Sequence, residues 1–69
     1  MQKQPDVHEA RQRAAETMLA YDLPSNNANI GANQVGDWLL ANERFQRDDA
    51  GVWRVSSACV FEALNALGA

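Results

Sequence analysis

Two groups of polar side chains in this sequence have types and spacing suited to recognising nucleic acid. Asn33 and Gln34 are adjacent amides, and an amide can pair with the edge of an adenine base through two hydrogen bonds. Shortly afterwards come Arg44, Arg47 and Arg54, whose guanidinium groups can hold backbone phosphates. These arginines are half of the six Lys and Arg residues in a chain whose net charge is −3. Together the two groups predict contact with double-stranded DNA, with the amides on bases and the arginines on phosphates.

The same residues also have a simpler interpretation, in which the protein binds another protein and makes no DNA contact. Asn is frequent in turns, and arginines on an exposed hairpin often only face solvent. The stretch 21–43 contains both amides but has three acidic residues and no Lys or Arg, so it matches phosphate poorly. Under this alternative the chain is a small acidic inhibitor or adaptor, of the kind that phages direct at host proteins. Its predicted interface consists of Asp37, Leu40, Phe61 and Leu64.

The sequence contains no set of residues that matches a known type of catalytic or metal-binding site. His8 is the only histidine and no pair of cysteines accompanies it, so the ligands of a zinc site are missing. Cys59 is the only cysteine, and it lies in an apolar segment without a neighbouring histidine or cation, which indicates a small core residue. Asp48 and Asp49 are adjacent acids at a predicted turn, where Asp is common. We therefore expect no enzyme, no metal and no cofactor.

The length and composition favour one small domain over residues 1–69. The chain has 69 residues, of which 46% are hydrophobic, and it can bury a single core that is marginal in size. Its longest apolar run is far shorter than the roughly twenty residues that cross a membrane. No apolar leader follows the N-terminus, and a single cysteine cannot form an internal disulfide. We expect a soluble cytoplasmic protein without membrane contact.

Apolar spacing predicts that the first helix begins at Asp6, after a loose lead-in of residues 1–5. Asp6 and Glu9 have the spacing of a capping box, in which each side chain bonds a backbone N–H at the helix start. Pro24 ends this helix at or before the preceding residue. Its predicted inner face recurs at steps of three and four residues and consists of Val7, Ala10, Ala14, Met18 and Tyr21.

A second helix is predicted from about Ala32 to Asn42. Val35, Trp38 and Leu39 face inward at helical spacing, whereas Leu40 lies opposite Val35 and is expected to be exposed. Gly36, in the middle of this helix, is expected to weaken it by roughly 1 kcal/mol relative to alanine.

A β-hairpin follows, with alternating strands over 45–48 and 52–55 joined by the loop 49–51. A three-residue loop that ends in glycine, here Gly51, suits a hairpin that needs a left-handed residue at that point. The alternation places Phe45, Trp53 and Val55 toward the core.

The last helix is predicted over about 57–67, with Ser56 or Ser57 as its cap. Its apolar arc is wider than the stripe that one core contact needs. The arc consists of Cys59, Val60, Phe61, Ala63, Leu64 and Leu67. Either two elements of the chain cover this helix or a second copy does, and the second case predicts a homodimer through the C-terminal helix.

Two stretches carry a resemblance to known families. Ile30, Val35 and Trp38 have the spacing of the apolar contacts in the turn and second helix of a helix-turn-helix. The run Val35 to Leu67, VGDWLLANERFQRDDAGVWRVSSACVFEALNAL, has a Trp-Leu helix, a basic hairpin with a Gly-Trp type of strand and a closing helix. In these features the run resembles the excisionase-like winged-helix proteins of mobile elements and the C-terminal domains of some phage antirepressors.

The resemblance implies a mostly α domain with one β-hairpin, of a small winged helix-turn-helix-like type. It also implies a DNA-binding regulator of transcription or recombination in a phage or other mobile element. The second helix would be the recognition helix and the hairpin would be the wing. The sequence departs from the family at the helix before the turn, which would have to be Pro24 to Ala28, shorter and more polar than usual.

Overall fold

A computed structural model describes residues 3–21 and 31–68 of the chain. Its helices are α1 (Val7–Ala20), α2 (Ala32–Ala41) and α3 (Ser57–Gly68), and its strands are β1 (Gln46–Arg47) and β2 (Trp53–Arg54). The predicted class, mostly helical with one antiparallel hairpin, is therefore confirmed. The helical turn expected at 24–28 lies outside the described residues, and so does Ile30.

Helix α1 begins as the capping pattern predicts. The Asp6 carboxylate accepts a hydrogen bond of 2.8 Å from the backbone N–H of Glu9, which satisfies one of the free donors at the helix start. The Glu9 side chain does not reach back to Asp6 but pairs with Arg13, at 3.4 Å. The cap therefore depends on Asp6 alone.

The inner face of α1 is narrower than predicted. Ala10 and Ala14 are fully buried, and Met18 packs against the core from its edge. The prediction was wrong for Val7 and Tyr21, which are 47% and 63% exposed. Both lie at the ends of the helix, beyond the small residues that contact α2, so no neighbouring element covers them.

Gly36 lets α2 pack closely against α1. A Cβ added at this position would lie 2.7 Å from the Arg11 Cα atom and 2.9 Å from the Arg11 backbone nitrogen, which is closer than Cβ atoms approach backbone in folded proteins. The glycine was expected only to weaken its helix, but it also removes the side chain that would separate the two helices.

The core lies where the three helices and the hairpin meet. Its buried side chains come from the three helices, from β2 and from the residue just before β1, and they are Ala10, Ala14, Val35, Leu39, Phe45, Trp53, Val60, Ala63 and Leu64. Trp38 and Val55, which were predicted to face inward, are half-buried at its margin. Leu40 was predicted to be exposed, but it is half-buried and packs against the same core, because α3 packs beside α2 and adds a second covered side to the helix.

The hairpin turn has the predicted glycine chemistry. Gly51 has a φ of +79°, in the left-handed region that glycine adopts without strain. The backbone N–H of Asp48 donates to the Val52 carbonyl at 2.9 Å, and the N–H of Gly51 donates to the Asp48 carbonyl at 3.0 Å. The Asp48 carboxylate accepts further bonds from the N–H groups of Ala50 and Val52, both 2.9 Å. One carboxylate thus fixes the whole loop.

The N-terminal segment is more ordered than the loose lead-in that was predicted for residues 1–5. The Gln4 amide donates to the Phe45 carbonyl and accepts from the Phe45 N–H, both at 3.1 Å, and Pro5 is buried. The amide bonds the backbone of Phe45 as a neighbouring strand would. The end of the lead-in therefore covers the outer edge of the first hairpin strand.

Among the helices in the described ranges, none is long and apolar enough to cross a membrane.

Candidate functional site: one face of the hairpin

The hairpin brings four polar side chains onto one face. Gln46 lies directly opposite Arg54, and opposite residues in antiparallel strands project to the same side. Arg44 lies two residues before Gln46 and Ser56 two residues after Arg54, each just outside its strand. All four line one cavity of about 330 Å3. We call Arg44, Gln46, Arg54 and Ser56 the donor face.

Arg44 is held at one side of this cavity by α2 and α3. Its Nη2 atom lies 3.1 Å from Oε2 of Glu62 on α3, and its guanidinium lies 5.8 Å from the centre of the Trp38 ring on α2, within the range of a cation–π contact. The side chain remains 39% exposed. Arg44 is therefore positioned by two helices while part of its guanidinium faces the cavity.

Arg54 is positioned by the turn. Its Nε donates to Oδ2 of Asp48 at 2.9 Å, and its side chain is 68% exposed. Hydrogen bonds from the Val52 N–H and, next, from the Arg54 guanidinium lower the pKa of the Asp48 carboxyl below its ordinary value. The bond uses only Nε, so the two terminal nitrogens of Arg54 stay available on the donor face.

Within residues 3–21 and 31–68, no carboxylate lines the cavity of the donor face. Its remaining walls are Val55 and Cys59. The acidic partners of the arginines, Asp48 and Glu62, hold the two guanidinium groups from outside the lining. The cavity therefore offers hydrogen-bond donors without an adjacent negative charge in its wall.

Arg47 lies on the other face of the hairpin. It is directly opposite Trp53 in the ladder, and its guanidinium is 4.6 Å from the centre of the Trp53 ring. The indole is 7% exposed, so Arg47 covers the outer edge of a core side chain. The three arginines that were predicted to act together are therefore divided between two faces, because 47 and 54 have opposite parity in the strand pairing.

The structure does not place the two predicted base-reading amides in the cavity of the donor face. Asn33 and Gln34 are both exposed in the first turn of α2. Asn33 lines a separate groove of about 530 Å3 between α1 and α2, together with His8, Arg11 and Gln12. No residue of the hairpin lines that groove. Both amides are accessible, but only Asn33 of the two lines this groove, whose walls come from α1 and the start of α2 instead of from the strands.

The residues predicted as a protein interface do not form one free surface. Asp37 is held by Arg11 of α1 through two bonds of 2.9 Å, which also lower the pKa of the Asp37 carboxyl. Leu40 is half-buried at the core, and Leu64 is 2% exposed within it. Phe61 remains 47% exposed on α3. Of the apolar residues in the predicted set, Phe61 alone keeps a large free surface, because Leu64 is used in packing within the chain.

Sequence reasoning missed Gln46 and Ser56 as members of the site. For Gln46 the signal was present in the predicted hairpin, since residues directly opposite each other share a face and Gln46 is opposite Arg54. Grouping the arginines by their charge instead of by their parity hid this pattern. Ser56 lies beyond the strand, and no strand pattern indicated it.

Comparisons of this chain with known protein families, with curated proteins and with solved structures found no match.

Proposed function

We propose that the protein is a small binding module for another protein, without catalytic activity. The observation that carries this proposal is the pairing of its cations. Four of the five arginines, all in the described ranges, have a carboxylate partner within 3.4 Å. They are Arg11, Arg13, Arg44 and Arg54.

The pairing weakens the case for a DNA surface. Affinity for DNA comes largely from cations that neutralise phosphates and release counterions. Arg44 and Arg54 are already neutralised by Glu62 and Asp48, and Arg47 points to the other face of the hairpin. A net charge of −3 adds a repulsive field. A partner that presents one anion, instead of a continuous line of phosphates, suits this arrangement better.

A selection from a random peptide library displayed on phage, with the full chain as the immobilised target, tests the proposal. We expect enriched peptides that bind the wild-type chain saturably and lose affinity when Arg54 is replaced by Gln. Arg47→Gln is the matched control because it changes the same residue type on the opposite face of the hairpin. A 20-base-pair duplex of random sequence is titrated in parallel at low salt. Saturable duplex binding with no enriched peptide would contradict the proposal.

DNA binding by a winged helix-turn-helix-like domain is the second candidate function. It is supported by the exposure of Asn33 and Gln34 in the first turn of α2 and by the shared face of Arg44 and Arg54. In this case the amides read bases and these two arginines hold phosphates.

Mutations distinguish a specific DNA complex from a non-specific one. Arg54→Ala should weaken binding to all sequences and flatten the dependence of affinity on salt. Asn33→Ala should instead relax the preference at one base position. An equal loss from both changes at every sequence would remove specific readout.

A further inference from the structure

We propose that the donor face binds the carboxylate of an acidic side chain or chain end in a peptide. This inference rests on the proposed protein-binding function and names the chemistry of the partner. It is argued from the four polar side chains that line one cavity, two of them directly opposite each other in the hairpin.

Each polar side chain of the donor face has a donor free to point at a ligand. Arg54 uses only its Nε toward Asp48, and Arg44 uses one terminal nitrogen toward Glu62. The Ser56 hydroxyl oxygen accepts from the N–H of Cys59 at 3.2 Å, so its own proton can be donated elsewhere. Gln46 contributes an exposed side-chain amide beside Arg54. A planar carboxylate can accept from two guanidinium groups and from these neutral donors at once.

The local charge favours a single negative charge over a double one. Arg44 and Arg54 carry two positive charges, and their partners Glu62 and Asp48 carry two negative charges. The local sum is zero, so the site has no net positive charge to offset the larger cost of removing a dianionic phosphate from water. A monoanionic carboxylate has a smaller desolvation cost and is therefore favoured. The cavity volume of about 330 Å3 is at the lower end of the range for small-ligand pockets, which suits one side chain with its backbone.

A titration of the full ¹⁵N-labelled chain tests the assignment. The probes are N-acetyl-aspartate amide, sodium acetate and inorganic phosphate at a pH where phosphate is largely dianionic, each at constant ionic strength with chloride as the balancing ion. We expect saturable shifts at the backbone of Gln46, Arg54 and Ser56 and at the side-chain amide of Gln46. Aspartate amide and acetate should bind more tightly than phosphate, with dissociation constants in the millimolar range because the probes have few atoms.

Variants locate the site. Arg54→Gln should weaken aspartate amide binding about tenfold or more, since hydrogen bonds to charged groups are the stronger ones. Arg47→Gln should leave it unchanged. Gln46→Ala should also weaken it while both arginine ion pairs remain intact, which guards against a general effect of lost structure. Equal losses from Arg47→Gln and Arg54→Gln, or shifts that never saturate and spread along the chain, would overturn the site.

The outcomes separate this inference from the proposed function. Phosphate binding more tightly than acetate would overturn the carboxylate assignment. Enriched peptides that bind without contacting the donor face would overturn the carboxylate site at this face and leave the proposed protein binding standing. Anion binding in a chain that selects no peptide would overturn the proposed function and leave the anion site standing.

Discussion

Gly36 on α2 lies against the backbone of Arg11 on α1, so that a Cβ at position 36 would come within 2.7 Å of the Arg11 Cα atom. One residue further along α2, Asp37 accepts two hydrogen bonds from the Arg11 side chain. The backbone of Arg11 therefore packs against Gly36, and the guanidinium of Arg11 binds the carboxylate of Asp37. These neighbouring contacts set the distance between the two helices.

Gly36→Ala is expected to destabilise the protein, although alanine is the better helix former by about 1 kcal/mol. The new methyl group meets backbone atoms, which cannot move aside as the end of a side chain can. We expect a net loss of about 1–3 kcal/mol, typical of overpacking, in the free energy of unfolding measured with urea. Gln34→Ala, at an exposed position of the same helix, is the control and should be nearly neutral or stabilising. A gain of stability from Gly36→Ala would contradict the close approach.

Lowering the pH is expected to destabilise the hairpin turn by protonating the Asp48 carboxylate. The folded state lowers the pKa of this carboxyl from its ordinary value of 3.8, chiefly through the Val52 N–H and then through Arg54. Its ionised form is therefore favoured by folding. The stabilisation is complete above about pH 5 and is lost as the pH falls through the lowered pKa. Asp37, whose pKa is lowered by Arg11, acts in the same direction.

Asp48→Asn isolates the contribution of the turn. The melting temperature of the variant should be lower than that of the wild type at pH 6, and the difference should shrink as the pH falls below 3.8. Asp49→Asn changes the adjacent exposed acid and should behave like the wild type. A constant difference between Asp48→Asn and wild type at every pH would count against the mechanism.

Gln4→Ala is expected to release the outer edge of the first hairpin strand. The change removes the two bonds of 3.1 Å between the Gln4 amide and the Phe45 backbone. Typical net values for hydrogen bonds give a loss of about 1–3 kcal/mol in stability. Hydrogen exchange at the Phe45 N–H should accelerate, and Gln12→Ala, an exposed position on α1, should not change it. Unchanged exchange at Phe45 in Gln4→Ala would show that the tether does not form.

Two positions on α3 should respond very differently to truncation. Leu64 is 2% exposed and Phe61 is 47% exposed. Leu64→Ala should cost about 2–5 kcal/mol of unfolding free energy because it leaves a cavity in the core. Phe61→Ala should cost the isolated chain only about 1 kcal/mol, because about half of the side chain is already in solvent. Urea denaturation of both variants at low protein concentration measures these values.

Phe61→Ala also tests the possible homodimer through the C-terminal helix. Sedimentation velocity over a range of concentrations should show association of the wild type that the variant lacks, if Phe61 forms the contact. A sedimentation coefficient of the wild type that stays constant with concentration would contradict the predicted dimer.

The sequence alone was sufficient for features that depend on neighbouring residues. The start of α1 follows from Asp6, whose carboxylate caps the first turn, and the hairpin turn follows from the left-handed requirement that Gly51 meets. The strand pairing also contained the half of the donor face formed by Gln46 and Arg54, although charge alone suggested a different grouping. These features are local because a cap, a turn or a strand is stabilised by bonds between residues close in the chain.

Tertiary structure decided which charges and faces are free. Arg44 pairs with Glu62 and Arg11 pairs with Asp37 across separate elements. Gln4 bonds Phe45 although both α1 and α2 lie between them in the sequence. No local pattern specifies such pairs, because they depend on how the helices pack. The same packing buried Leu64 and covered part of Leu40. Whether an arginine can meet a phosphate or a carboxylate of a partner depends on those long-range neighbours, and the sequence pattern does not contain them.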